Sequence, residues 1–201
     1  MKALQNHFRQ LGIWEKKQTD ISNWNQYSAT PTNVESFAHK YLNRDPLPRY
    51  PDGSLTPEKI LCSSLPSISD CYRFNGDASD LEYITEAVRK YQNSAPVILY
   101  RGVSDIPMEK MIEAAKALGD EDVEFYEKGY LSCSLLKETA YDYPVQLIIF
   151  VPPHSNVMYA GKCNIEEEPE CRYECIIMRG AKLKIMVQKG NTYYCLLKST
   201  N

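Results

Sequence analysis

The chain has 201 residues, 43% of them hydrophobic and 24% charged, which is enough for one large domain with a substantial buried core and excludes a disordered or fibrous class. A net charge of −3 offers no general electrostatic pull toward nucleic acid, and the densest charge run, Glu166-Glu167-Glu168-Pro169-Glu170, would repel phosphate. Seven cysteines cannot all pair within one chain, and no apolar leader precedes them, so reduced thiols in a cytosol are expected.

In chain order, residues 2–18 read as a mixed helix of moderate amphipathicity. Asn33 can cap a helix from Val34 to Asn43, after which Pro46, Pro48, Pro51 and Gly53 break the chain. Thr56-Pro57-Glu58 is a helix start, with proline in the first turn and an acid beside the positive end of the helix dipole. Ser67–Phe74 reads as a further short helix. Asp80–Tyr91 is predicted as a helix capped by Asp80, because Leu81, Ile84, Val88 and Tyr91 recur at helical spacing.

The second half changes period. Pro96–Tyr100 is a short apolar run ending at Arg101-Gly102, and Pro107–Leu118 is a helix stopped by Gly119. Gly129–Leu135, Val145–Val151, Arg172–Met178, Ala181–Val187 and Thr192–Leu197 read as strands bounded by glycine, proline or charge. Closely spaced strands late in the chain predict an α+β fold: a mixed, mainly antiparallel sheet with helices from the N-terminal half packed on it. The expected division is a helical extension over 1–45 and a catalytic domain over 46–201, or one continuous domain. Residues 160–171 fit neither period, and a loop of that length in a compact domain tends to be functional.

Three segments carry polar residues where strands would otherwise be apolar. Arg101, beside a glycine that removes bulk, can present guanidinium donors to a phosphate, or cap the core and pair with a carboxylate. Ser132 and Ser134 share a strand face, with Cys133 behind them, and two such hydroxyls can orient a ribose or another side chain. Glu174 heads an apolar strand that has no structural use for a charge, and Arg172 stands about 7 Å away on the same face, two residues along. Cys163, Cys171, Cys175 and His154 contain no CxxC pair, so no metal site is predicted. The nine glycines include no GxG, which argues against a Rossmann oxidoreductase.

Taken in order, Tyr100-Arg101-Gly102-Val103, Gly129-Tyr130-Leu131-Ser132-Cys133-Ser134-Leu135 and Tyr173-Glu174-Cys175-Ile176-Ile177-Met178-Arg179-Gly180 resemble the motifs of the Arg–Ser–Glu mono-ADP-ribosyltransferases, the group of C3-like and actin-modifying bacterial toxins. Asp70–Gly76 and the helix after it are similar to the paired helices that precede the first motif, and the resemblance covers residues 56–198. It implies NAD as co-substrate with no metal, and a macromolecular acceptor, in the first place a protein. The chain would be a monomer without a membrane span, acting in a cytosol as a delivered effector. Arg101, Gly102, Ser132, Ser134, Tyr141 and Asn75 would bind NAD, with Tyr141 over the nicotinamide. Glu174 and Ser132 would be catalytic. Arg172, Cys163 and Asn164, in the loop before the catalytic strand, would meet the acceptor. Arg172 departs from the family, which has Glu or Gln there to assist the nucleophile; a guanidinium cannot act as a base at neutral pH. The resemblance therefore also admits a degenerate NAD- or partner-binding homologue, a nucleic-acid-directed transferase, or an NAD-hydrolysing side activity.

Overall fold

The computed structural model describes residues 20–42, 51–74, 79–104, 123–140, 142–161 and 173–201. The expected helices 2–18 and 107–118, all but the first two residues of the expected loop 160–171, and the individual residues Asn75, Tyr141, Cys163, Asn164 and Arg172 lie outside them.

Eight strands form one sheet: β1 Val97–Val103, β2 Glu124–Glu127, β3 Leu131–Ser134, β4 Val145–Val151, β5 Val157–Tyr159, β6 Glu174–Ile177, β7 Ala181–Lys189 and β8 Thr192–Ser199. Their spatial order is β2-β7-β8-β4-β1-β3-β6-β5, antiparallel at every pairing except the parallel β4–β8. The α+β class and the mainly antiparallel sheet read from the sequence are therefore present. β2 and β5 have no counterpart among the expected strands: each is short, and β5, the three-residue strand Val-Met-Tyr, is buried on both faces and shows no alternation. The first strand also runs further than expected, through Arg101 and Gly102 to Val103, so the arginine lies within a strand and not past its end.

The helices keep their predicted faces, and the helix start at Thr56-Pro57-Glu58 is present, with Thr56 Oγ1 accepting from the Lys59 N–H at 3.3 Å, but Asn33 and Asp80 do not cap as expected. α1 covers Val34–Tyr41; the Asn33 side chain makes no cap hydrogen bond and instead accepts from the Thr30 N–H at 2.8 Å. α2, Pro57–Phe74, joins the two expected helices across a kink at Ser64, two residues before Pro66, whose missing N–H and ring disrupt the turn. α3 spans Glu82–Val88 behind a 3-10 turn at Ser79–Leu81, so Leu81 and not Asp80 holds the cap position. Ile84 and Val88 are nevertheless buried as the spacing required.

Strand alternation divides the sheet into two faces. On one, residues from all eight strands, including Leu99, Leu147, Cys133, Cys175 and Leu183, form a single cluster that receives Val34, Phe37 and Ala38 of α1. The opposite face is covered in two separate patches. α2 and α3 pack Leu61, Leu65, Ile68 and Ile84 against Met158, Ile176 and Met178 at the β5–β6 end. The 3-10 helix Ile21–Tyr27 buries Trp24 against Ile98, Phe150 and Leu196 of β1, β4 and β8. Between those patches neither apolar cluster of described residues covers the face, and the polar residues of β3 and β6 stand there.

Close approach explains one glycine. A Cβ at Gly129 would lie 2.8 Å from Ser69 Cβ and 3.0 Å from Ser69 Cα and O, so α2 can approach the start of β3 only over a glycine. Ser69 Oγ accepts from the Tyr130 N–H at 3.2 Å, which ties α2 to the strand that carries Ser132.

Candidate active site

A cavity of about 390 Å³ opens in that part of the sheet, lined by residues of β1 (Tyr100, Arg101, Gly102), β3 (Ser132, Cys133, Ser134), β6 (Glu174) and the loop after β3 (Glu138, Thr139, Ala140, Asp142). That volume lies within the range of small-molecule sites, roughly 300–1,000 Å³. Five residues expected from the sequence, Arg101, Gly102, Ser132, Ser134 and Glu174, thus meet in one place although 73 positions separate the first from the last.

Pairing brings them together. In the antiparallel β3–β6 register Ser134 lies opposite Glu174 and Ser132 opposite Ile176, so both serines and the glutamate share a face. Ser132 Oγ donates to Glu174 Oε1 at 2.6 Å, a charge-assisted bond across the diagonal of the ladder. Both residues are half-buried, so the pair is partly shielded from water while still reaching the cavity.

Ser134 has a different duty. Its hydroxyl shares a 2.5 Å hydrogen bond with Thr139 Oγ1 and accepts from the Leu136 N–H at 3.1 Å. Thr139 Oγ1 in turn donates to the Leu136 carbonyl at 3.1 Å. These bonds fold the chain after β3 back into the 3-10 turn Lys137–Thr139, which forms one cavity wall. Sequence reasoning missed Thr139, Glu138 and Asp142, because an irregular loop has no period to read. It also passed over Tyr100, which lies opposite Ser134 in the β1–β3 register.

Arg101 alternates onto the other face from Tyr100, beside Leu99 and opposite Leu147. Its Nη1 donates to the Ser132 carbonyl oxygen, which fixes the guanidinium against β3. Its Nε is buried and has no hydrogen-bond partner among the described residues. A buried donor left without an acceptor is costly, and an anionic or polar ligand is one group that can satisfy it.

Behind Ser132 and Glu174 lie Cys133 and Cys175, opposite each other in the register and almost fully buried. Burial pushes the Cys133 thiol up to about 12, with Arg101 pulling it partly back, and raises Cys175 well above its ordinary value. Both are therefore neutral thiols at physiological pH, packed as small apolar groups and not poised as nucleophiles.

No protein-family model matches the chain, and no curated protein matches its sequence. Solved structures do match it. Plx2a, an ADP-ribosyltransferase toxin from Paenibacillus larvae, superposes with a TM-score of 0.54 at 20% identity, covering 95% of this chain and 96% of its own. A C3-type ADP-ribosyltransferase from Clostridium botulinum gives a TM-score of 0.61 at 14% identity over 87% of this chain and 98% of its own. The C3 exoenzyme of Clostridium limosum gives 0.55 at 16% identity over 94% of each chain. A C3 protein from S. aureus, solved with NAD, gives 0.55 at 13% identity over 73% and 89%. At these identities the likeness shows the fold, and the fold is that of the C3-like toxins that the three sequence motifs resemble.

Proposed function

We propose that the chain is an NAD-dependent mono-ADP-ribosyltransferase that moves ADP-ribose onto a macromolecular acceptor, in the first place a protein, in the manner of a bacterial toxin or effector. The observation that carries this reading is the 2.6 Å hydrogen bond from Ser132 to Glu174 at a cavity that Arg101 also lines. The residues suit the ligand: a carboxylate for a ribose hydroxyl, and an Arg101 guanidinium whose Nε has no partner among the described residues for a phosphate oxygen. The likeness to the S. aureus C3 protein, solved with NAD, supports the same assignment.

Bound NAD would supply a nicotinamide–ribose bond whose cleavage builds positive charge at the ribose C1′ while the bonding electrons leave on nicotinamide. Glu174 would stabilise that charge, as carboxylates do in glycoside hydrolysis. Ser132 would hold Glu174 in its productive orientation, and Arg101 would anchor the diphosphate. The Ser134–Thr139 turn would set the wall that leads to Tyr141, proposed to lie over the nicotinamide. Gly102 and Asn75 would complete the NAD contacts. Arg172, Cys163 and Asn164 would meet the acceptor, and because Arg172 cannot take the acceptor's proton, the nucleophile must be competent without it.

The test is NAD turnover, followed by nicotinamide release, for the wild-type chain and Glu174→Ala. Turnover in the wild type and loss in the variant supports transfer or hydrolysis. Background turnover in both, with NAD binding retained by calorimetry, would instead mark a degenerate homologue. Mass spectrometry of a lysate incubated with NAD and the chain then identifies the acceptor by its added ADP-ribose.

A further inference from the structure

A second cavity of about 390 Å³ is lined by residues of the 3-10 helix Ile21–Tyr27 and of the sheet beside it. Tyr100 lines both, and Lys137, which borders the second, directly precedes Glu138, Thr139 and Ala140 of the first. The proposed catalytic reading makes no use of this space. We propose that it is a separate binding site for a phosphorylated aromatic ligand of mononucleotide size.

Its floor is rigid and aromatic. Trp24, 1% exposed, packs against Phe150 and Tyr194 with ring centroids 5.4 and 5.8 Å away, while Tyr100 and Tyr194 remain half-buried at the cavity. The Tyr100 hydroxyl donates to Ser28 Oγ at 3.1 Å, which fixes the dividing wall to the overlying segment. Aromatic walls of this kind suit a planar ring system.

The rim is cationic. Lys137 and Lys189 border the cavity, and neither is paired with a carboxylate among the described residues; the Lys189 ammonium lies 5.4 Å from the Tyr194 ring centroid. Among the described residues at the rim the one carboxylate is Asp20, which is hydrogen-bonded within its own turn. It accepts from the Ser22 N–H at 3.0 Å, Ser22 Oγ at 2.5 Å and Asn23 Nδ2 at 2.7 Å, and the hydrogen bonds from Ser22 lower its pKa. Asp20 stays ionised, so two ammonium groups against one carboxylate leave the rim with a net positive charge, which beside an aromatic floor favours an anion attached to a ring over a cation or a purely apolar guest.

AMP is the probe, titrated calorimetrically against the full chain, with adenosine and inorganic phosphate as its two halves. The expected result is saturable AMP binding that Lys137→Gln/Lys189→Gln weakens by about tenfold or more, with each half binding far more weakly than the whole. Arg101→Ala and Glu174→Ala should leave AMP affinity unchanged, since those residues border only the first cavity. Both lysines are exposed, so an unaltered melting temperature should accompany the double variant. The proposal is overturned if AMP does not bind saturably, if inorganic phosphate binds as well as AMP, or if binding survives the lysine changes. Loss of AMP binding on Arg101→Ala would overturn it equally, by moving the ligand to the first cavity.

Discussion

Glu174 lies opposite Ser134 in the β3–β6 ladder, yet its carboxylate takes the 2.6 Å hydrogen bond of the diagonal neighbour, Ser132. The two serines therefore do separate work: Ser132 holds the glutamate, while Ser134 holds the turn that contains Thr139. Glu174→Gln keeps the size and an acceptor oxygen but removes the charge. It should lower the kcat for NAD turnover by about 10²–10³, the usual loss for one preorganised electrostatic contact. Ser132→Ala should lower kcat by less, because the charge stays and only its orientation loosens. Equal kcat in wild type and Glu174→Gln would remove the glutamate from the chemistry.

Ser134→Ala should behave differently. It leaves the Ser132–Glu174 bond intact and releases the Leu136 N–H and Thr139 Oγ1 from their anchor. The expected effect is a raised KM for NAD with a smaller change in kcat, and Thr139→Val should reproduce it. A kcat loss matching that of Glu174→Gln, with KM unchanged, would contradict this division of labour.

Arg101→Lys tests the guanidinium by its shape. A lysine keeps the charge but has one point donor group, so it cannot both bond the Ser132 carbonyl and offer a second donor in the fixed geometry of the guanidinium. NAD affinity measured by calorimetry should fall about tenfold or more despite the retained charge. Affinity within twofold of wild type would mean that the charge alone suffices.

Away from the cavity, Asn93 is fully buried and clamps two chain segments. Its side-chain amide donates to the carbonyls of Ala95, Val151 and Pro152, and its side-chain oxygen accepts from the Ser155 N–H. Asn93→Ala would remove the partner of one buried and three part-buried backbone groups and should cost about 3 kcal/mol in chemical denaturation. A cost below about 1 kcal/mol would show that water replaces the side chain.

Glu58 gives the fold an acid-sensitive point. Burial raises the pKa of its carboxyl, but the hydrogen bonds from Lys90 (2.9 Å), the backbone and Tyr91 (3.1 Å) outweigh burial and leave it below its ordinary value. A depressed carboxylate contributes stability that is complete above its unfolded pKa and is lost as pH falls through its folded one. Stability should therefore decline from about pH 5 downward, and Glu58→Gln should flatten part of that decline while lowering stability at pH 7. Parallel pH–stability curves for the two proteins would exclude the contribution.

Much of this molecule was legible from local pattern. Val145–Val151 is a strand over its expected span, Ile84 and Val88 bury the face their spacing requires, and Glu174 heads β6. These features follow from periods of 2 and 3.6, which are properties of neighbouring residues and survive in the sequence. β2 and β5 were too short to show a period, and the α2 kink and the actual helix caps depend on tertiary packing.

What the sequence determined by itself is which residues share a strand face: Ser132 with Ser134, and Cys133 with the core behind them. Which strands would become neighbours was decided only by the tertiary structure, because ladder pairing joins residues dozens of positions apart and leaves no local trace. That pairing set β3 between β1 and β6 and turned a serine and a glutamate 42 positions apart into a hydrogen-bonded pair. Packing then kept them accessible. α2 and α3 bury one end of the face and the 3-10 helix buries the other, and the cavity is the stretch of sheet that neither apolar patch reaches.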